Sequence, residues 1–264
     1  MNNCTRFTAI CAVALSVFAA GCRDDDTTIV DPPVTTTTKF YTPTAQGNVR
    51  VYKHTELDTN SAVIEGSTTI DSVVTGSATM YVGKTAYMES YYRDGMKDSV
   101  ASSYISGDST TYYRYFTPID FNNSPIAVPK RWVKEADFKS TTTSWVTFDS
   151  TLINFPVDVA GSTYTADSLH VKQTRTKGAI SSVAFGTPAA PKQAQEVVVT
   201  TTFSGKVTSQ FGAIPIGFSN IEKLYFVENV GLVKRHRDPY KVDVTVLKYP
   251  VNGFDYTLQS YVNK

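Results

Sequence analysis

The sequence predicts an all-β domain running from about Phe40 to the C-terminus, and three observations predict it. The chain holds 16 Tyr and 14 Phe together with abundant Thr and Val, residues that suit a pleated, half-buried surface. Apolar residues recur at every second position. In KVDVTVLKY, Val242, Val244 and Val246 share one face while Lys241, Asp243 and Thr245 share the other, and EVVVTTTFSG aligns Val197, Val199, Thr201 and Phe203, the period of half-buried antiparallel strands. Turn chemistry separates these runs. Asp94-Gly95 stands between YMESYYR and MKDSV, a strong hairpin signal because both residues tolerate positive φ. Gly66, Gly76, Gly83, Gly107, Gly205 and Gly253 read as further breaks. Only PKRWVKEADF, residues 129–138, reads as a short helix, with a proline suited to a first turn and Trp132 and Ala136 four apart; an irregular crossover is the other reading.

The N-terminus has a different character. Arg6 precedes an apolar run from Ala9 to Ala20 that is too short for a permanent membrane span and reads as a signal peptide over residues 1–21. Small residues at Ala19, Ala20 and Gly21 lead into Cys22. This arrangement resembles the bacterial lipoprotein signal, which implies that Cys22 is acylated and becomes the first residue after cleavage; an ordinary signal peptide with an incidental cysteine is the alternative. The other two of the three cysteines, Cys4 and Cys11, lie inside the segment to be removed, so an intramolecular disulfide has no partner residues and the exported domain must rest on its core.

Arg23, Asp24, Asp25 and Asp26 resemble the acidic export signal that follows the acylated cysteine in surface lipoproteins of the Bacteroidota. That resemblance implies an outer-membrane, surface-exposed location; a merely solvated tether would also be polar. The run VDPPVTTTTK completes a tether over residues 22–39, extended by its prolines and unable to pack a core. Within the single domain at 40–264, YTPTAQGNVRVY and NFPVDVAGSTYT echo one another, which raises a pseudo-duplication into halves 40–153 and 154–264.

LYFVENVGLVKRHRD, with Tyr225-Phe226, Gly231 and the closing run Tyr256–Tyr261, resembles bacterial lipoproteins of the lipoprotein-carrier-like (LolA-like) fold. The resemblance implies a strongly curved antiparallel sheet or half-barrel, with a β-sandwich as the alternative. A sheet of that kind with at most one short helix to cover it has to close on itself or leave a groove. The expectation is a groove lined by valines and aromatics.

Chemistry is sparse. His54, His170 and His236 have neither helical spacing nor a second histidine nearby, so no metal and no cofactor are expected. A net charge of +1 gives no reason to expect nucleic acid. Gly107-Asp108-Ser109 and Asp167-Ser168-Leu169-His170 resemble the first and last blocks of the GDSL-type esterases. The oxyanion-forming glycine and asparagine blocks are missing, as is the α/β pattern of that family, so no enzymatic activity is expected. Asp followed by Ser or Thr recurs at Thr27, Ser72, Ser99, Ser109, Ser150 and Ser168, a pattern that resembles the O-glycosylation sequon of exported Bacteroidota proteins. Asp-Ser is also a common way to leave a turn and enter a strand.

Two further features complete the reading. The basic cluster Lys234-Arg235-His236-Arg237 reads as a solvated hairpin tip, or as a contact for lipid phosphates or an acidic glycan. Tyr91, Tyr92, Tyr112, Tyr113, Tyr115, Trp132 and Trp145 fit core and cross-strand pairs, with sugar stacking as the functional alternative. The function expected is a lipid-anchored, non-enzymatic envelope lipoprotein whose curved sheet binds an apolar ligand, a glycan or an envelope protein. A structural or assembly subunit of an outer-membrane complex, with a filled interior and no ligand site, is the rival.

Overall fold

The computed structural model describes residues 44–264 apart from 109, 116–118, 122–123, 127–128, 140, 142, 160–161, 210–211 and 245–246. Among these residues all regular structure is β. The strands are β1 (Val49–Leu57), β2 (Thr69–Tyr81), β3 (Lys84–Arg93), β4 (Met96–Gly107), β5 (Thr111–Tyr115), β6 (Ile119–Phe121), β7 (Ser124–Ile126) and β8 (Trp132–Asp137). They continue as β9 (Ser144–Val159), β10 (Ser162–Phe185), β11 (Ala190–Ser209), β12 (Gly212–Val227), β13 (Gly231–Arg237), β14 (Tyr240–Val244), β15 (Leu247–Val251) and β16 (Gly253–Val262).

Twelve strands form one antiparallel sheet in the order β8-β5-β4-β3-β2-β1-β16-β13-β12-β11-β10-β9, and β6-β7 and β14-β15 pair as separate hairpins. The sheet curls until its edges β8 and β9 approach. No ladder joins those edges among the described residues. Side chains cross the seam instead: Arg131 Nη2 donates to the Thr147 carbonyl at 2.9 Å and Trp145 Nε1 to the Lys134 carbonyl at 2.9 Å. Carbonyls that an open edge would leave unpaired are satisfied in this way. The result is a strongly curved, nearly closed barrel-like sheet, consistent with the half-barrel that the resemblance implies.

Bulges supply the curvature. Registers shift between Thr75 and Ala78, around Gly76, and between Lys177 and Ile180, around Gly178, each adding twist to a long strand. Gly76 and Gly205 therefore sit inside β2 and β11, and the expectation that they separate strands is corrected. Gly205 is needed for close approach: a Cβ there would lie 2.1 Å from the Ser168 carbonyl oxygen. Asp94 and Gly95, at φ 47° and 81°, do form the tight turn between β3 and β4, with Arg93 opposite Met96.

The helix expected over residues 129–138 is a strand, β8, paired with β5. A register shift beside Tyr112 leaves Glu135 as an extra residue in β8, so Trp132 faces Tyr115 on one side of the sheet and Ala136 faces Tyr112 on the other, and the period-two signal is broken within this short strand. The echo NFPVDVAGSTYT begins inside β9, and Ile153 and Asn154 are consecutive residues of that strand.

Inside the curl the side chains are layered. The inward positions of β12 read Ile216, Phe218, Asn220, Glu222, Leu224 and Phe226, two apolar pairs around a polar pair. At one end Phe203 and Phe218 stack with ring centroids 4.6 Å apart in a core that includes Leu169, Val171 and Val242. Another apolar layer joins Tyr112, Val197, Val199, Leu224 and Phe226, so β5 and β12 meet across the interior, with the Tyr112 and Phe226 rings 6.2 Å apart. Burial of these side chains stabilises the fold by about 1.5–3 kcal/mol for each large residue. Polar residues belt the interior around them.

Candidate functional site, a charged cavity inside the sheet

The concave face encloses a cavity of about 690 Å³, within the range of small-molecule sites. Its lining includes the expected valines and aromatics and adds to them a set of charged residues that lies outside that expectation. Six arginines (Arg50, Arg93, Arg114, Arg175, Arg235 and Arg237) and five carboxylates (Glu56, Asp71, Glu89, Glu135 and Glu222) face it, beside Val73, Val199, Leu224 and the rings of Tyr52, Tyr91, Tyr112, Phe254 and Tyr256. The exposed members of the lining, Glu56, Arg93, Ala101, Arg235, Pro250 and Asn252, mark where it meets solvent.

One part of the lining is buried and internally paired. Glu89 on β3, 1 % exposed, is held by Arg50 Nη2 from β1 and by Arg114 Nη2 from β5 at 3.0 Å. Burial works against ionisation of Glu89, but the two guanidiniums outweigh it and hold its pKa below the usual carboxylate value. Arg50 answers in kind: burial opposes its charge, Glu89 overrides burial, and its pKa rises. Arg114 Nη2 also donates to the Tyr112 hydroxyl at 2.7 Å. Burial raises the Tyr112 pKa well above normal, so that phenol stays neutral. A second buried pair crosses the seam, with Arg175 donating to the Glu135 carboxylate at 3.0 Å and to the Glu135 carbonyl at 3.1 Å. Thr147, Gln173 and Thr201 extend the belt as a chain of hydrogen bonds.

The other part faces accessible space. On β13 the inward residues are Arg235 and Arg237, opposite Tyr256 and Phe254 of β16. Arg235 grips both oxygens of Glu222 through Nε and Nη2, yet keeps 47 % of its side chain accessible. Burial pushes the Glu222 pKa up, Arg235 pulls it down further, and the net shift is downward. The Arg235 and Arg237 guanidinium carbons lie 5.2 and 4.8 Å from the Phe254 ring centroid. Arg93, at the end of β3, is 55 % exposed and contacts Asp71 at 3.4 Å. His54 stands edge-on to Phe254 at 5.8 Å and to Tyr256 at 6.1 Å. Partial burial lowers its pKa; Asp71 opposes that shift while Arg93 and Arg235 add to it.

The remaining sequence-predicted residues are not brought together. Cys22, Arg23, Asp24, Asp25, Asp26, Thr27 and Ser109 lie outside the described residues. Ser72, Ser99, Ser150 and Ser168 sit within β2, β4, β9 and β10, with Ser99, Ser150 and Ser168 exposed and Ser72 half-buried. His170 pairs with Asp149 at 2.7 Å, while Asp167 accepts from the Thr208 hydroxyl at 2.6 Å, so the spacing that resembles an esterase block does not pair Asp167 with His170. The basic cluster at 234–237 is a strand of the main sheet and not a hairpin tip. Strand alternation sends Lys234 and His236 to Asp255 on the outer face, at 3.3 and 2.8 Å, and Arg235 and Arg237 inward. Of the singled-out aromatics, Tyr91 and Tyr112 line the cavity. Tyr115 and Trp132 pack on each other and against Tyr81. Among the described residues no group of three or more His, Cys, Asp or Glu side chains is arranged to hold a metal ion.

Geometry defines this chain as an all-β, nearly closed sheet around a charged cavity. No protein-family model matches the chain, and no curated protein matches it. Two solved structures are similar. One is a lipoprotein candidate from Parabacteroides distasonis, 11 % identical with a TM-score of 0.46, over 85 % of this chain and 99 % of that one. The other is an exported-protein candidate with a YmcC-like fold from Bacteroides fragilis, 9 % identical with a TM-score of 0.42, over 85 % and 99 % of the two chains. At these values neither assigns an activity or a ligand.

Proposed function

We propose that the protein is a lipid-anchored, surface-exposed lipoprotein of the bacterial outer membrane that binds a small polar ligand inside its curled sheet and catalyses no reaction. The observation that carries this reading is the cavity. A structural subunit would gain stability by filling about 690 Å³ of interior with side chains, since unfilled core volume is costly. An apolar ligand fits poorly, because seating it would strip solvent from Arg93 and Arg235 without replacing the lost hydrogen bonds. A ligand rich in oxygen would replace them, and the glycan expected from the sequence belongs to that class.

Anchoring rests on the N-terminal residues. Acyl chains on Cys22 would hold the chain at the membrane, each buried methylene contributing about 0.8 kcal/mol, and Asp24, Asp25 and Asp26 would direct it outward. Cys22→Ala is expected to release the protein from membranes, and alanine at 24–26 to leave lipidation intact while protecting the protein from protease added to whole cells. Ligand binding is tested separately by native mass spectrometry of protein purified from its own host. An added non-covalent mass that disappears on denaturation is expected; the bare polypeptide, with its lipid alone, would favour the structural subunit.

A further inference from the structure

The reading above leaves the ligand's chemistry open, and resting on it, we propose that the cavity selects an oxyanion, a carboxylate or phosphate group, clamped by Arg235 and Arg237 over Phe254 with Arg93 closing from the opposite strand group. The argument is a count of donors against acceptors. Four of the five lining carboxylates are engaged: Glu89 by Arg50 and Arg114, Glu135 by Arg175, Glu222 by Arg235, and Asp71 by Arg93. Glu56, at the rim, is the exposed carboxylate of the lining. A guanidinium has five N–H donors and no acceptor. Arg235 spends Nε and Nη2 on Glu222, and Arg93 reaches Asp71 through Nε. Arg235 and Arg93 keep 47 % and 55 % of their side chains accessible, so the site offers open guanidinium donors while four of its five carboxylates are already engaged.

Placement makes those donors a clamp. Arg235 and Arg237 are two residues apart on one face of β13, Arg235 paired with Glu222 and Arg237 donating through Nη2 to the Asn252 carbonyl at 3.1 Å. The Phe254 ring lies beneath both guanidiniums, and the Tyr240 ring lies 5.6 Å from that of Arg237. Planar forks held in this way match the oxygens of a carboxylate or phosphate. An anion seated there would also meet His54, whose pKa is lowered by burial, with Asp71 opposing that shift and Arg93 and Arg235 adding to it.

The test is calorimetric titration of the full chain at low ionic strength with inorganic phosphate, galacturonate and galactose, the last two differing in the carboxylate alone. Phosphate and galacturonate are expected to bind with dissociation constants of about 1 mM or tighter, and galactose at least about tenfold more weakly. Arg237→Gln and Arg93→Gln should each weaken anion binding by about tenfold, while Lys53→Gln on the outer face should not. Arg235→Gln alone would strand Glu222 and risks misfolding, so the paired variant Arg235→Gln/Glu222→Gln is used, with folding checked by circular dichroism. Equal affinity for galactose and galacturonate would overturn the oxyanion assignment and leave the cavity reading standing. Anion binding indifferent to Arg237→Gln and Arg93→Gln would overturn the clamp. Absence of binding by all three probes would overturn the inference, while the mass-spectrometric test of the cavity would still decide the broader reading.

Discussion

Two sets of arginines line the same cavity and do different work. Arg50, Arg114 and Arg175 are paired within the interior around Glu89 and Glu135, whereas Arg93 and Arg235 keep about half of their side-chain surface accessible. Residue type does not separate the sets; access does. A buried guanidinium is useful only if its counter-charge is fixed beside it, because desolvation must be offset by a partner already in place. An accessible guanidinium can keep unspent donors in contact with solvent at little cost, and those donors remain available to a ligand.

That contrast can be broken most severely at Glu89. Glu89→Ala removes the shared partner of two buried arginines and is expected to cost about 3–5 kcal/mol, read as a lower midpoint in urea unfolding. The triple leucine replacement of Arg50, Glu89 and Arg114 should recover most of that loss, since it removes the stranded charges as well. A Glu89→Ala midpoint close to the wild type would mean that this set is not structural.

A smaller effect is expected at the seam. Trp145→Phe deletes the donor that reaches the Lys134 carbonyl and should cost about 1–3 kcal/mol, the penalty for leaving a half-buried acceptor unpaired. Its ring contacts are largely kept, so hydrogen exchange at β8 and β9 should accelerate before global stability falls. Unchanged exchange at both edges would show that the seam does not depend on this bond.

The accessible set should respond differently. Arg93→Gln is expected to cost about 1–3 kcal/mol at most, because Arg93 is exposed although its partner Asp71 is buried, while still weakening anion binding. Loss of stability comparable to that of Glu89→Ala would erase the distinction between the sets. His54 gives the smallest signal. Its folded pKa lies below the ordinary 6.5, so the unfolded chain binds the proton more readily. Its contribution to stability is therefore present above pH 6.5 and is lost as pH falls through the folded value. Burial is the main cause of that shift; Asp71 and Glu56 oppose it, and Arg93 and Arg235 add to it. In His54→Gln this component of the stability profile below pH 6.5 should disappear, and an unchanged acid limb would place the titration elsewhere.

Much of the fold is legible in the sequence because it depends on local rules. Period-two alternation gives the strands, and Asp94-Gly95 gives its hairpin outright. The cavity is harder to see because inward and outward positions both carry charge. Lys234-Arg235-His236-Arg237 reads as one basic cluster until it is placed on a strand, when alternate residues part company across the sheet. A local signal does exist on β12, where Asn220 and Glu222 interrupt an inward series that is otherwise Ile216, Phe218, Leu224 and Phe226. The pairing of Glu89 with Arg50 and Arg114 cannot be read in this way, since it joins residues 39 and 25 positions apart through the curl of the sheet. The strand at 132–137 reads as a helix or an irregular crossover because the extra residue Glu135 breaks the period-two alternation between Trp132 and Ala136.

The most direct test of the central claim compares the two arginine sets within one sample. Side-chain nitrogen NMR of the full chain resolves arginine Nε–H groups, and phosphate can be added stepwise at constant ionic strength. The account predicts saturable shifts at Arg93, Arg235 and Arg237 with one common dissociation constant, while Arg50 and Arg175 stay still. Shifts spread evenly over both sets, or none at Arg235 and Arg237 while the buried arginines move, would contradict it.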